Sequence, residues 1–335
     1  MSRVALAGLL ALAGVALAAC SSAAPATPVT SRQPIGLTVL YSQITPSNLP
    51  AWAAAEAGIY AAKGLDVAQK DVQNGSTTMA ALLSGEAQVA LVGGSEALSA
   101  VAGGADIVVL AVLTPVSPWT IMVAPEIKSA ADLKGQILGT GSRGGSPDVA
   151  LHMALDKLGL DPSQDVTIQS VPSPKARMAA LLSGAIKGGP THPPESLELE
   201  AHGFHALIDL AALHIPAADD CVIVPRAWLS ANRQLAQSYV DSLVQATARM
   251  KKDKPFTVGV LEKYLKSTDD KAMASTYDFY VGEVIPALPY PKPEQFQSAM
   301  TELGRSNAGV QSVDMTKLLD PSLVASAEQR GLARA

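Results

Sequence analysis

The sequence predicts an α/β protein of two similar lobes, with a helical tail that returns to the first. Three observations carry this. From Ile35 onward, short β-branched runs alternate with Ala/Leu-rich segments, the pattern of mostly parallel sheets with helices on their faces. The heptapeptide Met79-Ala80-Ala81-Leu82-Leu83-Ser84-Gly85 recurs unchanged from Met178 to Gly184, each copy following a strand and a polar turn, as matching elements of two lobes would. Beyond His214-Ile215-Pro216 the composition shifts to long helical segments.

Before the fold begins, Ser2-Arg3 and the apolar run Val4 to Ala19 read as a secretory signal, too short and weakly flanked to span a membrane. Residues 1–19 are therefore set apart. Leu17-Ala18-Ala19-Cys20 is similar to the lipobox of bacterial lipoproteins, which implies that Cys20 is acylated and becomes the first mature residue. Residues 20–34, rich in Ser, Ala, Thr and Pro, have too little bulk to offset their own chain entropy and read as a disordered tether. The expected location is thus exported and lipid-anchored, on the periplasmic or outer face of the membrane.

In the first lobe, strands are expected at Gly36–Tyr41, Val67–Val72, Gln88–Val92 and Ile107–Leu113, with helices at Asn48–Ala57 and Ser76–Leu83 stopped by Gly58 and Gly85. Thr120–Val123 begins the second lobe, followed by a strand at Gln136–Gly139, a helix at Pro147–Leu158 with Ser146 as N-cap, a strand at Val166–Val171 and the helix Lys175–Leu182. Pro-containing segments at Thr114–Pro118 and Leu213–Ala217 are expected to cross between lobes. The lobes then comprise residues 35–114 with 218–335, and residues 119–213. The tail reads as helices at Ala231–Met250 capped by Ser230, Pro255–Leu265, Asp270–Ile285, Glu294–Leu303 and Pro321–Arg330, packing back on the first lobe.

Composition removes several function classes. The net charge of −5 and the lack of a basic stripe argue against a nucleic-acid partner. With two cysteines in all and no CxxC, neither a disulfide framework nor a thiolate metal site is available, and Cys221, inside an apolar run, reads as a buried small side chain. The five histidines form no i, i+4 pair, so no metal and no cofactor is expected. GxSxG, HExxH, Walker A and dinucleotide fingerprints are all missing, which disfavours an enzyme.

Several stretches resemble one family. Ala53 to Val67 (AAAEAGIYAAKGLDV) is similar to its "A-x-E-x-G-[FIY]…G-L-[DE]-V" opening; Ala81 to Ala90 is similar to "L-x-S-G-E-x-D-x-A", with Gln88 where Asp is usual. Ser129 to Gly135, Leu158-Gly159-Leu160 and Asp165-Val166 are similar to "s-x-x-D-L-K-G…L-G-L…D-V". By these motifs the chain resembles the solute-binding lipoproteins of ABC importers that take nitrate, taurine, aliphatic sulfonates and thiamine pyrimidine precursors. The resemblance implies a type II periplasmic-binding-protein fold, an interlobe cleft for a small molecule, a permease partner and a monomer. A sensor module for a membrane receptor would use the same cleft, and biosynthetic enzymes share the fold, so both stay open.

In such an architecture the strand carboxyl ends face the cleft. The candidate ligand residues are Ser42, Gln43, Ser47, Asn48, Ser76, Thr77 and Ser95 in the first lobe, and Ser142, Arg143, Gly144, Gly145, Ser146, Thr191 and His192 in the second, with Trp119 beside a crossing. They supply hydroxyls, amides and free backbone N–H groups at short reach, suited to a polar ligand. The loop Ser142–Ser146 combines glycines, hydroxyls, an arginine and a helix start, which points to an anionic ligand; Arg143 either pairs with it or sits in solvent.

Overall fold

The computed structural model describes residues 33–72, 74–171 and 173–334. The signal-like run, Cys20 and nearly all of the proposed tether lie outside the described residues. Among the described residues ten strands form two five-stranded sheets: β1 (Ile35–Tyr41), β2 (Leu65–Asp71), β3 (Val89–Val92), β4 (Ile107–Val116), β5 (Thr120–Val123), β6 (Ile137–Thr140), β7 (Thr167–Ser170), β8 (Gly188–Thr191), β9 (His205–Asp209) and β10 (Pro216–Pro225). The first sheet runs β2-β1-β3-β10-β4 and the second β7-β6-β8-β5-β9. In each, the first three strands are parallel and the fourth is antiparallel to both of its neighbours.

The fourth strand of each sheet arrives from the far side of a crossing. β10 returns to the first sheet only after the whole second sheet is complete, and β5 opens the second immediately after β4. The two crossings run side by side, with Ser117 N–H donating to the Ile215 carbonyl at 2.9 Å and Pro216 paired with Val116.

The repeated heptapeptide occupies equivalent places. One copy lies in the helix Gly75–Ser84, which joins β2 to β3, and the other in the helix Pro174–Leu182, which joins β7 to β8. Met79 and Leu82 are buried as Met178 and Leu181 are, whereas Leu83 and Leu182 are exposed. Gly85 and Gly184 both take left-handed φ, 85° and 76°, which a β-carbon would strain.

Sheet one is covered on both sides, which explains its continuous apolar strands. Along β10, Val222 and Val224 face a cluster that also holds Val240, Leu243 and Val244 of the helix Arg233–Lys252, with Leu323 and Val324 near the C-terminus. Cys221 and Ile223 face Met79, Leu98 and Phe296 on the opposite side. The C-terminal helices therefore pack on the first lobe, and Cys221 is a free, buried thiol. Sheet two has its own core around Trp119, Met122, Leu151 and Leu181.

Several local expectations need correction. Ser146 is the first helical residue of Ser146–Lys157, and the N-cap is Gly145, with no side-chain cap. Ser230 does not cap the helix Arg233–Lys252: its hydroxyl donates to the Arg226 carbonyl within a separate helix, Arg226–Ala231. The segment Asp270–Ile285 is not one α-helix, because it opens into a wider turn at Asp278–Val284. The helices Gly94–Ala102 and Glu195–Ala201 and the strand β9 were not among the expected elements.

Candidate ligand cleft

The cleft opens where both sheets present the same edge. β1, β3, β6 and β8 end there, and the antiparallel β10 and β5 begin there. Backbone groups at strand carboxyl ends and helix starts are thereby aimed at one space. That space holds about 410 Å³ free of atoms, including its solvent-facing mouth, and is lined by both lobes.

From the first lobe come Ser42, Gln43, Ser47 and Asn48 after β1, Gly93 and Glu96 after β3, and Asp219 and Asp220 from β10; the second lobe gives Trp119, Ser146 and His192. Asn48 shapes its own loop, donating from Nδ2 to the carbonyls of Gln43 at 2.8 Å and Thr45 at 3.2 Å. Ser95 lines an adjoining hollow with Trp119 and Ser146. Thr191 lines another, behind His192 and beside Arg177.

Other candidates fall outside the cleft wall. Ser76 and Thr77 are exposed on the helix Gly75–Ser84. Ser142 accepts from Asn74 Nδ2 at 2.8 Å, a bond between lobes. Gly145 backs onto Glu96, and Gly144 lies near Leu303. Arg143 is exposed and is not among the lining residues, so the structure does not bring it to the cleft.

Three carboxyls that line the cleft, those of Glu96, Asp219 and Asp220, escaped the sequence reading. Trp119 Nε1 donates to Asp219 Oδ1 at 2.6 Å, and the Ser146 hydroxyl donates to the Asp219 carbonyl at 3.3 Å, so both second-lobe groups are anchored on β10. The pairing of β10 with β4 is irregular on either side of Asp220, a bulge that lets two consecutive carboxylates line one cavity. A regular strand would have sent them to opposite faces. Glu96 sits in the first turn of the helix Gly94–Ala102, accepting from the Ser95 hydroxyl at 2.7 Å.

Burial dominates the electrostatics. It pushes the Asp219 carboxyl up to about 7, with the charge of Glu96 adding, while Trp119, His192 and Ser146 pull it down. Asp220 is driven well above the usual carboxylate range by burial, then by Asp219 and Glu96. Glu96 is raised by burial and by Asp148, against its Ser95 bond. Behind the wall, Arg177 is buried and lowered by burial to about 10; it donates to the carbonyls of Pro190 at 3.0 Å and Val171 at 3.3 Å. It lies 5.9 Å from the Trp119 ring centroid, beside Glu195, and is not itself among the residues that line the cleft.

Away from the cleft, His152 Nδ1 lies 2.7 Å from Glu302 and Arg305 pairs with Asp156, so the tail also bridges to the second lobe. The hydrogen bond to Glu302 is the main cause holding the His152 imidazole above its ordinary value. Among the described residues no group of His, Cys, Asp and Glu is arranged to hold a metal ion.

Residues 45–254, well over half the chain and including both crossings, match the model of a family described as NMT1/THI5 like. The chain belongs to that family. No curated protein matches it by sequence. Among solved structures it is similar to a protein of Bordetella bronchiseptica RB50 (23% identity, TM-score 0.75, 88% of this chain and 98% of the other). It is also similar to the periplasmic aliphatic sulphonate binding protein SsuA of Escherichia coli (21%, 0.67, 83% and 94%). A third likeness is to the periplasmic nitrate-binding protein NrtA of Synechocystis PCC 6803 (17%, 0.75, 89% of each). These likenesses establish the periplasmic-binding-protein fold for this member of the family.

Proposed function

We propose that the chain is the solute-binding component of an ABC importer, taking up a small polar molecule between its lobes and handing it to a membrane permease without chemistry. The observation that carries this is the cleft itself: polar residues from both sheets line one space at the crossings, and one of them, Asp220, has a buried carboxyl oxygen with no hydrogen-bond partner. A buried polar atom left unpaired costs free energy unless something else completes it. The named functions of the sulphonate- and nitrate-binding relatives support the same role.

Residues 35–114 with 218–335 form one lobe of this reading and residues 119–213 the other, closing about the crossings. The acidic lining moves the ligand away from an anion held by Arg143. After incubation with a small-molecule extract of its host and gel filtration, the protein is expected to retain a solute seen by native mass spectrometry. Its radius of gyration should be smaller than that of the emptied protein. An empty protein with an unchanged radius would remove the reading.

Export rests on residues 1–19, and anchoring on Cys20 with the tether 20–34. Cys20→Ser is expected to move the protein from the membrane fraction to the soluble exported fraction, or to leave it unprocessed. Wild-type processing and membrane retention in that variant would sink the lipoprotein assignment. The mature protein is taken to act as a monomer with one permease partner.

A further inference from the structure

The lining of the cleft is one-sided in charge. Glu96, Asp219 and Asp220 supply three carboxyls, and the only ionisable nitrogens among the lining residues are those of His192. The carboxylate of Glu96 lies at the seam between lobes: a β-carbon at Gly75 or Gly93 would overlap it, and one at Gly145 of the second lobe would stand 2.9 Å from its Oε1. Glycine at these positions leaves room for that carboxylate and nothing larger. Asp220 is 6% exposed, yet its Oδ2 has no partner.

Resting on the solute-binding reading above, we infer that the solute is a small organic cation, a protonated amine, amidine or guanidine, whose N–H groups donate to the carboxylates of Asp219, Asp220 and Glu96. An anion would meet three carboxyls at close quarters, with Arg143 outside the lining and Arg177 tied to carbonyls. A bare metal ion needs ligands converging on one point, and among the described residues no such group occurs. A cation with several N–H donors spreads its bonds over separated acceptors, and charge-assisted hydrogen bonds of this kind are the strong ones. Trp119, held by Asp219, supplies an aromatic wall.

Proton linkage follows from the same cluster. Asp219 is faced by the Trp119 N–H, the Ser146 hydroxyl, His192, Glu96 and Tyr280; Asp220 by Asp219, Glu96, the Cys221 N–H, Tyr239 and Tyr280; Glu96 by the Ser95 hydroxyl and Asp148. Burial favours the protonated form of each of these carboxyls. A cation that needs them ionised expels those protons on binding, so its affinity rises with pH through the value of about 7 at Asp219.

The test uses the purified protein and a matched probe set: benzamidine, benzylamine and butylamine as cations, benzoate, benzenesulfonate and butyrate as anions, and neutral benzamide. The cations are expected to raise the thermal midpoint and the others not. The best cation should bind roughly tenfold more tightly at about pH 8 than at about pH 6, the ratio expected when one carboxyl at about 7 must be ionised for binding. Asp220→Asn should weaken that binding by about tenfold or more and reduce its pH slope. Stabilisation by an anion or by benzamide in place of the cations, or a cation bound equally well by Asp220→Asn, overturns the charge assignment and leaves solute binding standing. If no probe binds, the solute retained from the host extract decides: a retained cation supports the assignment, a retained anion or neutral molecule overturns it, and no retained solute overturns both readings.

Discussion

Asp219→Asn is expected to raise the thermal midpoint of the ligand-free protein at about pH 8 and to leave it nearly unchanged at about pH 4. The Asp219 carboxyl, ordinarily at 3.8, is pushed by burial to about 7 in the folded protein. Below the lower value, folded and unfolded chains both hold the proton and the substitution alters little. Between the two values the unfolded chain releases its proton while the folded chain keeps it, so stability falls as pH rises and levels off above about 7. At 1.36 kcal/mol for each pH unit, the full interval is worth roughly 4 kcal/mol. Asparagine escapes this cost, because its amide oxygen still accepts from Trp119 Nε1 and it has no proton to lose.

For a chain of this size that ceiling corresponds to a rise of roughly 6 °C at about pH 8, and half of it would be easily measured. Calorimetric or fluorimetric melting at the two pH values checks the expectation. A variant that is less stable than wild type at about pH 8, or whose gain is equal at both pH values, would show that Asp219 carries no such strain. A stabilised variant that no longer binds would mark Asp219 as a group kept for ligand at the expense of stability.

How much of this was legible depended on which physical rule governed each residue. The lobes were readable because the heptapeptide repeats with its glycine, and both copies take the same burial pattern and the same left-handed turn. The strand carboxyl ends were readable from alternation, and Ser42, Gln43, Ser47, Asn48, Trp119, Ser146 and His192 do line the cleft. The acidic cluster was not, since it depends on a bulge in β10 and on a strand that joins the first sheet after the whole second sheet is complete. One signal was present: Asp219-Asp220 stands directly before the apolar run Cys221-Val222-Ile223-Val224, and two buried acids at the end of a core strand need a reason. Arg143 misled because a Gly/Ser loop before a helix suits an anion whichever way its arginine points, and here it points to solvent.

Gly93→Ala and Gly94→Ala are expected to separate closure from folding, although the residues are neighbours. Gly93 is the N-cap of the helix Gly94–Ala102, with φ −63° and ψ 152°, a conformation that alanine adopts freely. Its added β-carbon would meet nothing rigid within the first lobe, but it would overlap the Ser146 hydroxyl of the second lobe and the Glu96 carboxylate. Relief requires both groups to move, which breaks the Ser146 bond to the Asp219 carbonyl or holds the lobes apart. Binding should therefore weaken by about tenfold or more, while the ligand-free midpoint stays within about 1 °C of wild type. A β-carbon on Gly94 instead meets Ala218 Cβ and Phe296 Cε1, each at 2.6 Å, inside the core of the first lobe. Neither is the end of a flexible chain. Overpacking of this kind costs about 1–3 kcal/mol, so Gly94→Ala should lower the midpoint by roughly 2–5 °C. Melting and titration calorimetry on the two variants read both quantities. If Gly93→Ala binds as wild type, the lobes do not need the contact seen between Gly93 and Ser146; if it melts as low as Gly94→Ala, the seam is part of the folding core and not a surface that closes on a solute.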